Sequence, residues 1–519
     1  NSGGDPENII DLTHEDLVNF HQKHYHPSNA TFFTFGNVDP LEIQSFIKEN
    51  VLDNFSPSDE VVAVKNEDRL ESPKVVSDFY NPQPGDENNH HIVLSWLLNE
   101  SHNPVQLLET YLMSNILLDN SASPLRKVLE STKLGKSPSP LTGLEADQKE
   151  LVFAAGLEGV DSNKSKEVET LIMDCLKKLV KDGVPQDLID SSLHQLEIRQ
   201  REITGSGMPF GLQIMLTCLP ACIHNDNPLN VLDLDSAFNT IKNNLKTDNY
   251  IENLIDKSLI KNNHRLTYSL IPDTELNKKN EEKIQNKVFE ITKNFSSDDK
   301  KKLIKLANDL EKRQNSIDDP EVLPKVTKED IPITRNYASP IAFSNNESAN
   351  YFYKTGTNGI VYHSMIFPCE ALDKNELEVA SLFSNTLTDI GLGKDGYEDI
   401  QKYQSSFTGG ISASFITLPN KIDDTFKLAL KVTSKSLEGN ETLMQDLVIV
   451  RSIMGIRSNR HGVDCRRLPR LVGTWLFHYG NRRGSKRVSP YRASRRRSSD
   501  RPLERIHWGA SCLRWTGSP

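Results

Sequence analysis

The stretch "LTHEDLVNFHQKHYHPSNATFFTFGN" (residues 12–37) joins a helical pattern to a strand pattern, and it decides the fold. Thr13 has the side chain of an N-cap and is followed by acidic residues, as at the start of many helices. Pro27 is expected to end this helix. The apolar run "ATFFTFGNV" (30–38) then predicts a strand. The sequence therefore predicts a helix–turn–strand unit near the amino terminus.

The same stretch is rich in histidine, the commonest metal ligand among protein side chains. Zinc ligands must lie within about 2.0–2.3 Å of one point. On a helix, His14 and His21 would lie about 10 Å apart along the axis, so they cannot share one ion. His21 and His24 are one turn apart and could supply two ligands. The spacing therefore allows a partial metal site at most.

The helical metallopeptidase motifs are not matched here. "HEDLV" (14–18) has valine where H-E-x-x-H requires histidine. "HQKHY" (21–25) has histidine where H-x-x-E-H requires glutamate, and tyrosine where it requires the second histidine. We therefore expect a helix end in which His24 packs beside Leu17 and Phe20, rather than a metal site.

The composition is that of a globular protein with several domains. The chain has 519 residues, of which 36% are hydrophobic and 25% charged, enough for three or four domains. No apolar run approaches the 18 residues of a membrane span. The six cysteines are sparse. Cys218 and Cys222 are separated by three residues, whereas a redox motif or zinc knuckle has two. We therefore expect no disulfide framework and a reducing compartment. We interpret Asn1 as a cut edge within a longer protein, with any targeting segment upstream.

The charge distribution changes sharply near residue 450. Residues 451–519 hold 16 Arg and 1 Lys against 3 acidic residues, whereas residues 1–450 hold 44 Lys and Arg against 68 Asp and Glu, a net charge of -24. A basic tail that binds nucleic acid or anionic membrane is one interpretation. A frameshift or intron read-through explains the abrupt change in residue usage better. We expect the tail to lack a native fold.

Between these regions the pattern predicts two α+β modules. The first begins with the strand "HIVLSWLL" (91–98) and ends with the strand "RLTYSLIP" (265–272). The second contains the strands "GIVYHSMIF" (359–367) and "FKLALKVTSKSL" (426–437). Residues 275–316 are highly charged but periodic, which favours a helical hairpin over a disordered linker. The clearest helix has an apolar stripe made of Val168, Leu171, Ile172, Cys175, Leu176, Leu179 and Val180.

These patterns divide the chain into consecutive segments. We expect residues 90–275 and 343–450 to be copies of one module, the second incomplete and less stable because its sheet has an unpaired edge. The predicted segments are a remnant of a first domain at 1–52, a linker at 53–88, a second domain at 89–274, a hairpin linker at 275–330, an incomplete third domain at 331–450 and the Arg-rich tail at 451–519.

The quoted stretch, extended to "SGGDP" (2–6), resembles the pitrilysin-type zinc metallopeptidases, specifically the presequence protease subfamily. There, an SGGDP turn, a helix ending in HYHPSN and an FF-x-(Y/F)-GN strand close the first domain. The resemblance covers about residues 1–448 in order. It continues through "SPLRKVLESTKLG" (123–135), "GLEGV" (156–160), "FGLQIMLTCLPACIHNDNPL" (210–229), the charged hairpin, "TNGIVY" (357–362) and "TGGISAS" (408–414).

The resemblance implies an α+β fold of repeated pitrilysin-like modules, with mostly antiparallel sheets covered by helices. In that family a zinc-bound water attacks the scissile carbonyl, and the glutamate of H-x-x-E-H is the general base. That motif and the distal glutamate ligand precede the SGGDP turn, and the substrate-binding Arg and Tyr lie in a G-G-A-Y-G neighbourhood that this sequence lacks. No catalytic or metal-binding residue can therefore be carried over, and the substrate-contacting residues stay unknown.

The resemblance further implies what the parent protein does. We expect part of a mitochondrial matrix metalloendopeptidase that degrades presequences and other short unstructured peptides in a closed chamber. We expect it to be monomeric, with no nucleic-acid partner, no membrane span and zinc as the family's cofactor. The chain as given is predicted to be inactive alone. The alternative is a non-catalytic pitrilysin-like subunit, of the processing-peptidase or respiratory-complex core type.

Overall fold

The fold is taken from a computed structural model that describes most of residues 4–437. The predictions for the tail at 451–519 lie outside the described residues. The described ranges are 4–59, 62–87, 89–203, 208–224, 227–323, 325–334, 338–345, 349–369, 372–388, 391, 394–419 and 426–437.

The amino-terminal segment contains three helices, α1 (Pro6–Ile9), α2 (His14–His24) and α3 (Pro40–Asn50). Thr13 caps α2 as predicted, because its hydroxyl accepts from the Asp16 N–H and the Asp16 carboxylate accepts from the Thr13 N–H. All residues of these three helices are described, and none of them is buried. Their apolar side chains are therefore outside any core that the structure describes.

The strand predicted at 30–38 is wrong for this structure. Residues 30–35 belong to no helix or strand, and the three phenylalanines among them are exposed. A strand needs a neighbouring strand to take up its backbone N–H and C=O groups. Among the described residues, no strand pairs with this segment. The sequence contains the apolar run, but no described strand lies beside it.

The first sheet has six strands in the order β1-β6-β2-β5-β3, with β4 also paired to β5. The β1–β6 pair is parallel, and the other pairs are antiparallel. β1 lies inside the segment predicted as a linker (53–88), so the sheet begins earlier than expected. The strands are β1 (Lys74–Tyr80), β2 (His91–Glu100), β3 (Ser137–Pro138), β4 (Gly143–Glu145), β5 (Glu150–Glu158) and β6 (Arg265–Pro272).

Seven helices accompany this sheet in sequence, and the predicted amphipathic helix is among them as α6. Val168, Ile172 and Leu176 of its apolar stripe are buried, which confirms the core face of that helix. Gly183 ends it with a positive φ of 87°, a conformation that glycine adopts without steric cost. The helices are α4 (Pro104–Leu118), α5 (Pro124–Ser131), α6 (Ser165–Asp182), α7 (Gln186–Arg201), α8 (Phe210–Ile223), α9 (Leu234–Asn244) and α10 (Tyr250–Ile255).

Trp96 of β2 lies at the centre of the first core. Its side chain is fully buried, and its ring centroid lies 5.9 Å from that of Phe153 on the paired strand β5. Its indole N–H donates to the carbonyl oxygen of Leu259 at 2.8 Å. The bulk of the indole and its satisfied N–H both hold β2 against the turn that follows α10.

The charged segment forms two helices, α11 (Leu276–Thr292) and α12 (Ser297–Gln314). Ser296 caps α12 through reciprocal hydrogen bonds with Asp299, within the sequence "SSDD" (296–299). Both helices are described in full, and neither has a buried residue. The periodic pattern therefore identified helices correctly, and the disordered alternative is not what the structure shows.

The second sheet has three antiparallel strands in the order β10-β11-β9. The chain passes from β9 through two helices to β10 and then β11, as the first module passes from β2 through α4 and α5 to β4 and β5. In the first module β5 lies between β2 and β4, and in the second β11 lies between β9 and β10. The two modules therefore share this part of their topology. The elements are β7 (Ala342–Asn345), β8 (Ala349–Phe352), β9 (Ile360–Pro368), α13 (Lys374–Thr386), α14 (Tyr397–Phe407), β10 (Ile411–Pro419) and β11 (Phe426–Leu437), with β7 and β8 forming a separate pair.

The chain divides into two compact units, and each draws on three separate segments. The linear domain boundaries predicted above differ from this division, because α7 and the end of α4 belong with the second sheet. The described residues of Asn1–Thr110, Leu125–Gly183 and Met208–Asn336 form unit 1, and the described residues of Tyr111–Pro124, Val184–Gly207 and Tyr337–Pro519 form unit 2. Among the described helices, none combines the length and the apolar character needed to cross a bilayer.

Candidate functional site

Three histidines of the opening stretch, His21, His24 and His26, contact aromatic rings. His24 stacks on Phe20 with ring centroids 4.1 Å apart, and His21 stacks on Tyr25 at 4.7 Å. His26 uses Nδ1 to accept the Ser28 N–H at 3.1 Å. These contacts explain the stretch as a helix end with stacked rings. The predicted contact of His24 with Phe20 is confirmed.

The residues present do not fit the zinc ion of the family. His21 and His24 each stack on an aromatic ring. Within the described parts of the chain, no group of three His, Cys, Asp or Glu side chains is arranged to hold a metal ion. No reaction step through a metal can therefore be derived from these residues.

A groove of about 820 Å³ runs along α6 in unit 1. Its floor includes Leu134, Leu171 and the half-buried Cys175, and its rim carries Lys166 and Asp174. Burial raises the pKa of the Cys175 thiol to about 11. Because the thiolate is the reactive form, Cys175 is not a nucleophile at neutral pH. The residues that line the groove offer no evident catalytic chemistry.

A smaller apolar pocket of about 340 Å³ lies in unit 1 where the extended segment meets α8. The rings of Phe35 and Phe210 contact each other edge to face, with centroids 6.1 Å apart. Leu212 of α8 lines the pocket, and Leu212, Leu216 and Leu219 are all partly exposed. Sequence reasoning missed this surface, although a helix as apolar as "FGLQIMLTCLPACI" without a polar face signals one.

A buried carboxylate ties the segment before β1 to the first sheet. Glu150 at the start of β5 is almost fully buried. It accepts from the Arg69 guanidinium at 2.5 Å and from the Glu67 N–H at 2.7 Å. This pairing compensates the burial of the charge. The cluster anchors the chain and does not resemble an acid–base pair.

Unit 2 contains two histidines whose neutral forms the fold favours. Burial lowers the pKa of His194 on α7, although its hydrogen bond to the Phe407 backbone and the nearby Glu197 partly oppose this shift. Burial likewise lowers the pKa of His363 on β9. If either ring is protonated in the folded chain, its positive charge lies in a poorly solvated position, which costs free energy.

We expect unit 2 to lose stability as the pH falls through the range below about 6.5, the pKa of histidine in an unfolded chain. When the folded-state pKa is lower than this value, the unfolded chain binds more protons than the folded chain at pH values below about 6.5. The neutral histidines therefore contribute their full stabilisation above about pH 6.5, and this stabilisation is lost as the pH falls. Urea unfolding of the chain at about pH 7.5 and about pH 5.5 measures the loss. His194→Gln keeps a donor for the Phe407 carbonyl and does not titrate, so it should flatten the pH dependence. An equal pH dependence in His194→Gln would contradict this assignment.

Family profiles match both structured parts of the chain. The profile described as peptidase M16 inactive domain matches residues 11–196. The profile for the associated region of subfamily C of the same peptidases matches residues 270–453. The two together cover more than two thirds of the sequence. The chain therefore belongs to the M16, or pitrilysin-type, peptidase family, and its α+β modules are pitrilysin-like.

Within the family, the similar proteins include presequence proteases. The chain is 29% identical to presequence protease 1 of Arabidopsis thaliana over 84% of this chain and 41% of the relative. It is 28% identical to the mitochondrial presequence protease of Xenopus laevis, over 91% and 46%. Protein HypA of Clostridium perfringens is 28% identical over 95% and 51%. The chain spans about half the length of these relatives or less.

Solved structures show a more distant likeness. A protease from Helicobacter pylori aligns at 17% identity over 52% of this chain and 62% of that chain, with a TM-score of 0.41. The fold assignment rests on the family profiles and the strand order and does not depend on this alignment.

Proposed function

We propose that this chain is part of a zinc metalloendopeptidase that degrades presequences and other short unstructured peptides inside a closed chamber. The observation that carries the proposal is the match to presequence proteases over 84% or more of the chain. Because the M16 inactive domain profile covers residues 11–196, we assign the described residues to the non-catalytic wall of that chamber. Zinc would be bound by other parts of the protein.

The charge and surface of the chain support a cationic peptide as the substrate. Residues 1–450 carry a net charge of -24, which attracts basic peptides at low ionic strength. The partly exposed leucines of α8 offer apolar contact area in addition to this charge. A presequence that is both basic and apolar on one face matches these two properties.

The proposed compartment is the mitochondrial matrix. The similarity to a mitochondrial presequence protease of Xenopus laevis supports it. The similarity to protein HypA of Clostridium perfringens, a bacterial protein, leaves a bacterial enzyme of the same class as the alternative.

The second candidate is a non-catalytic pitrilysin-like subunit. The observation that favours it is the inactive-domain profile itself. In that case the chain would bind peptides or partner subunits without contributing to hydrolysis. The two candidates differ in whether the complete protein contains the H-x-x-E-H motif.

We expect the purified chain to contain no stoichiometric zinc and to leave a presequence peptide uncleaved, because the ligands and the general base are missing from its sequence. Elemental analysis and mass spectrometry of the peptide measure the two properties. One equivalent of zinc that is lost in His21→Ala/His24→Ala would overturn our interpretation of the opening stretch.

The same preparation tests the role of a chamber wall. Fluorescence anisotropy should detect binding of a labelled presequence, weakened at least about tenfold in about 0.5 M salt because the charges are then screened. A peptide of equal length with its Lys and Arg replaced by Glu is the matched control and should not bind. Equal affinity for both peptides would contradict the proposed substrate class.

A further inference from the structure

A cluster of polar side chains lies where β2 begins and β5 ends in the first sheet. His91, the first residue of β2, is 9% exposed and pairs with Glu158, the last residue of β5. The side chains of Asn89 and Ser139 contact the His91 ring, one at each of its nitrogens. We call these four side chains the His91 cluster, and all of them lie in the described part of unit 1. They take no part in the proposed peptidase role.

The Glu158 carboxylate fixes the orientation of the Asn89 amide. It accepts from the Ser137 hydroxyl at 2.5 Å and from Asn89 Nδ2 at 3.3 Å. The Ser137 hydrogen bond outweighs burial and lowers the pKa of Glu158, so this group is ionised at neutral pH. An ionised carboxylate only accepts hydrogen bonds, so the nitrogen of the amide, and not its oxygen, must face it. Asn89 Oδ1 is left buried without a hydrogen-bond partner in the part of the chain that the structure describes.

The same amide nitrogen determines which nitrogen of His91 carries the proton. Asn89 Nδ2 lies 3.5 Å from His91 Nε2, and since Nδ2 is a donor, Nε2 must be the unprotonated acceptor. The proton of the neutral ring is therefore on Nδ1, which lies 3.3 Å from Ser139 Oγ and donates to it. His91 Nε2 lies 4.0 Å from the Glu158 carboxylate, which is too far for a hydrogen bond. The geometry thus selects the Nδ1–H tautomer of neutral His91.

Protonation of His91 would change Nε2 from an acceptor into a donor. Two donors, Nε2–H and the Asn89 amide nitrogen, would then face each other. A half-turn of the amide relieves this conflict, because it presents Oδ1, the buried acceptor without a described partner, to Nε2–H. The same half-turn moves Nδ2 away from Glu158 and breaks the hydrogen bond between them. Each orientation of the amide therefore suits one protonation state of the ring.

We propose that His91 and Asn89 form a proton-operated switch in unit 1. With His91 neutral, the Asn89 side chain ties the connection between β1 and β2 to Glu158 of β5. With Nε2 protonated, the amide turns, the tie to β5 is lost and the connection is held less firmly. The step is a proton transfer between water and Nε2 and involves no other reactant.

The burial and the charged groups around the ring set the pH at which the switch operates. Burial lowers the pKa of His91, Glu158 and Asp86 oppose this shift, and His90 adds to it. The pKa of His91 in the folded chain is therefore below the value of about 6.5 in an unfolded chain. The stabilisation that the neutral ring provides is complete above about pH 6.5 and is lost as the pH falls, and the amide turns at the folded-state pKa. Two further titratable groups lie near the cluster, and the β6 residue paired with His91 does not titrate: these are Tyr80, whose ring is 5.5 Å from that of His91, Lys136 beside Glu158, and Leu270.

Nuclear magnetic resonance of the full chain with isotopically labelled histidine rings tests the switch. The wild type should show the Nδ1–H tautomer of His91 at neutral pH and a pKa below about 6.5, and His91→Gln identifies the signal. Asn89→Asp places an acceptor beside Nε2 in either orientation. It should raise the pKa of His91 by about one unit or more and move the proton of the neutral ring to Nε2. Asn315→Asp makes the same charge change at the exposed end of α12 and should leave this pKa unchanged. An Nε2–H tautomer in the wild type, or an unchanged pKa in Asn89→Asp, would overturn the proposal.

Hydrogen exchange followed by mass spectrometry measures the loss of the tie itself. The backbone N–H groups of Asp86 and Asn89 donate to carbonyl groups within the connection. After correction for the intrinsic effect of pH, they should exchange at least about threefold faster at about one unit below the His91 pKa than at about one unit above it. Asn89→Ala lacks the tie and should exchange fast at both pH values. His14→Gln removes an exposed histidine on α2 and should keep the wild-type difference. Equal protection of the wild type at both pH values would show that the amide does not turn.

Discussion

Trp96→Ala should lower the free energy of unfolding of the first core by about 3–5 kcal/mol, the range for removing a large buried aromatic side chain. Trp96 of β2 is fully buried beside Phe153 of β5, and its indole N–H donates to the Leu259 carbonyl. The alanine variant leaves a cavity beside Phe153 and an unpaired carbonyl. Urea unfolding followed by far-ultraviolet circular dichroism measures the loss.

Two further variants separate the causes of this loss. Trp96→Phe keeps much of the volume but removes the donor to Leu259, so it should cost only about 1–3 kcal/mol. Phe289→Ala removes an aromatic ring that is 65% exposed on α11, and a surface change of this kind should stay within about 0.5 kcal/mol. If Trp96→Ala were no more destabilising than Phe289→Ala, the position of the core would be wrong.

Gly156→Ala should destabilise the first sheet by about 3 kcal/mol or more, at the upper end of the cost of overpacking. A Cβ atom at Gly156 would lie 2.7 Å from the Cα of Val93 on the paired strand and closer still to the carbonyl oxygen of Ile92. Both are backbone atoms of β2, so neither can rotate away. The two central strands would have to separate.

Gly356→Ala is the matched control, because a Cβ atom there would meet nothing within 4 Å. It should leave the free energy of unfolding within about 0.5 kcal/mol of the wild type. The urea midpoints of the two variants, measured side by side, decide the prediction. A Gly156→Ala protein as stable as Gly356→Ala would show that β2 and β5 are not neighbours in this register.

Local signals in the sequence predicted the helices α2, α6, α11 and α12 and the strands β2, β6, β9 and β11. The capping boxes at Thr13 and Ser296 both formed as their residues indicated. β6 begins and ends where "RLTYSLIP" does, at Arg265 and Pro272. A cap or an apolar stripe is a property of residues a few positions apart, so a single sequence contains the whole signal.

Pairing partners could not be predicted in the same way. The abundance of Pro, Ser, Asp and Asn in residues 53–88 predicts a linker, yet β1 within this segment pairs in parallel with β6, far along the chain. The apolar run at 30–38 predicts a strand, yet it has no partner among the described strands. Strand formation depends on the hydrogen bonds of a neighbour, and no local pattern shows whether that neighbour exists.

The sequence by itself determined the family, the helical caps and the opposite charges of the body and the tail. The tertiary structure decided which strands meet, including the parallel pair of β1 and β6, and that Trp96 and Gly156 lie at the centre of the first core. Motifs and caps depend on neighbouring residues, whereas a sheet edge is defined by contacts between distant segments. Only the folded chain brings those segments together.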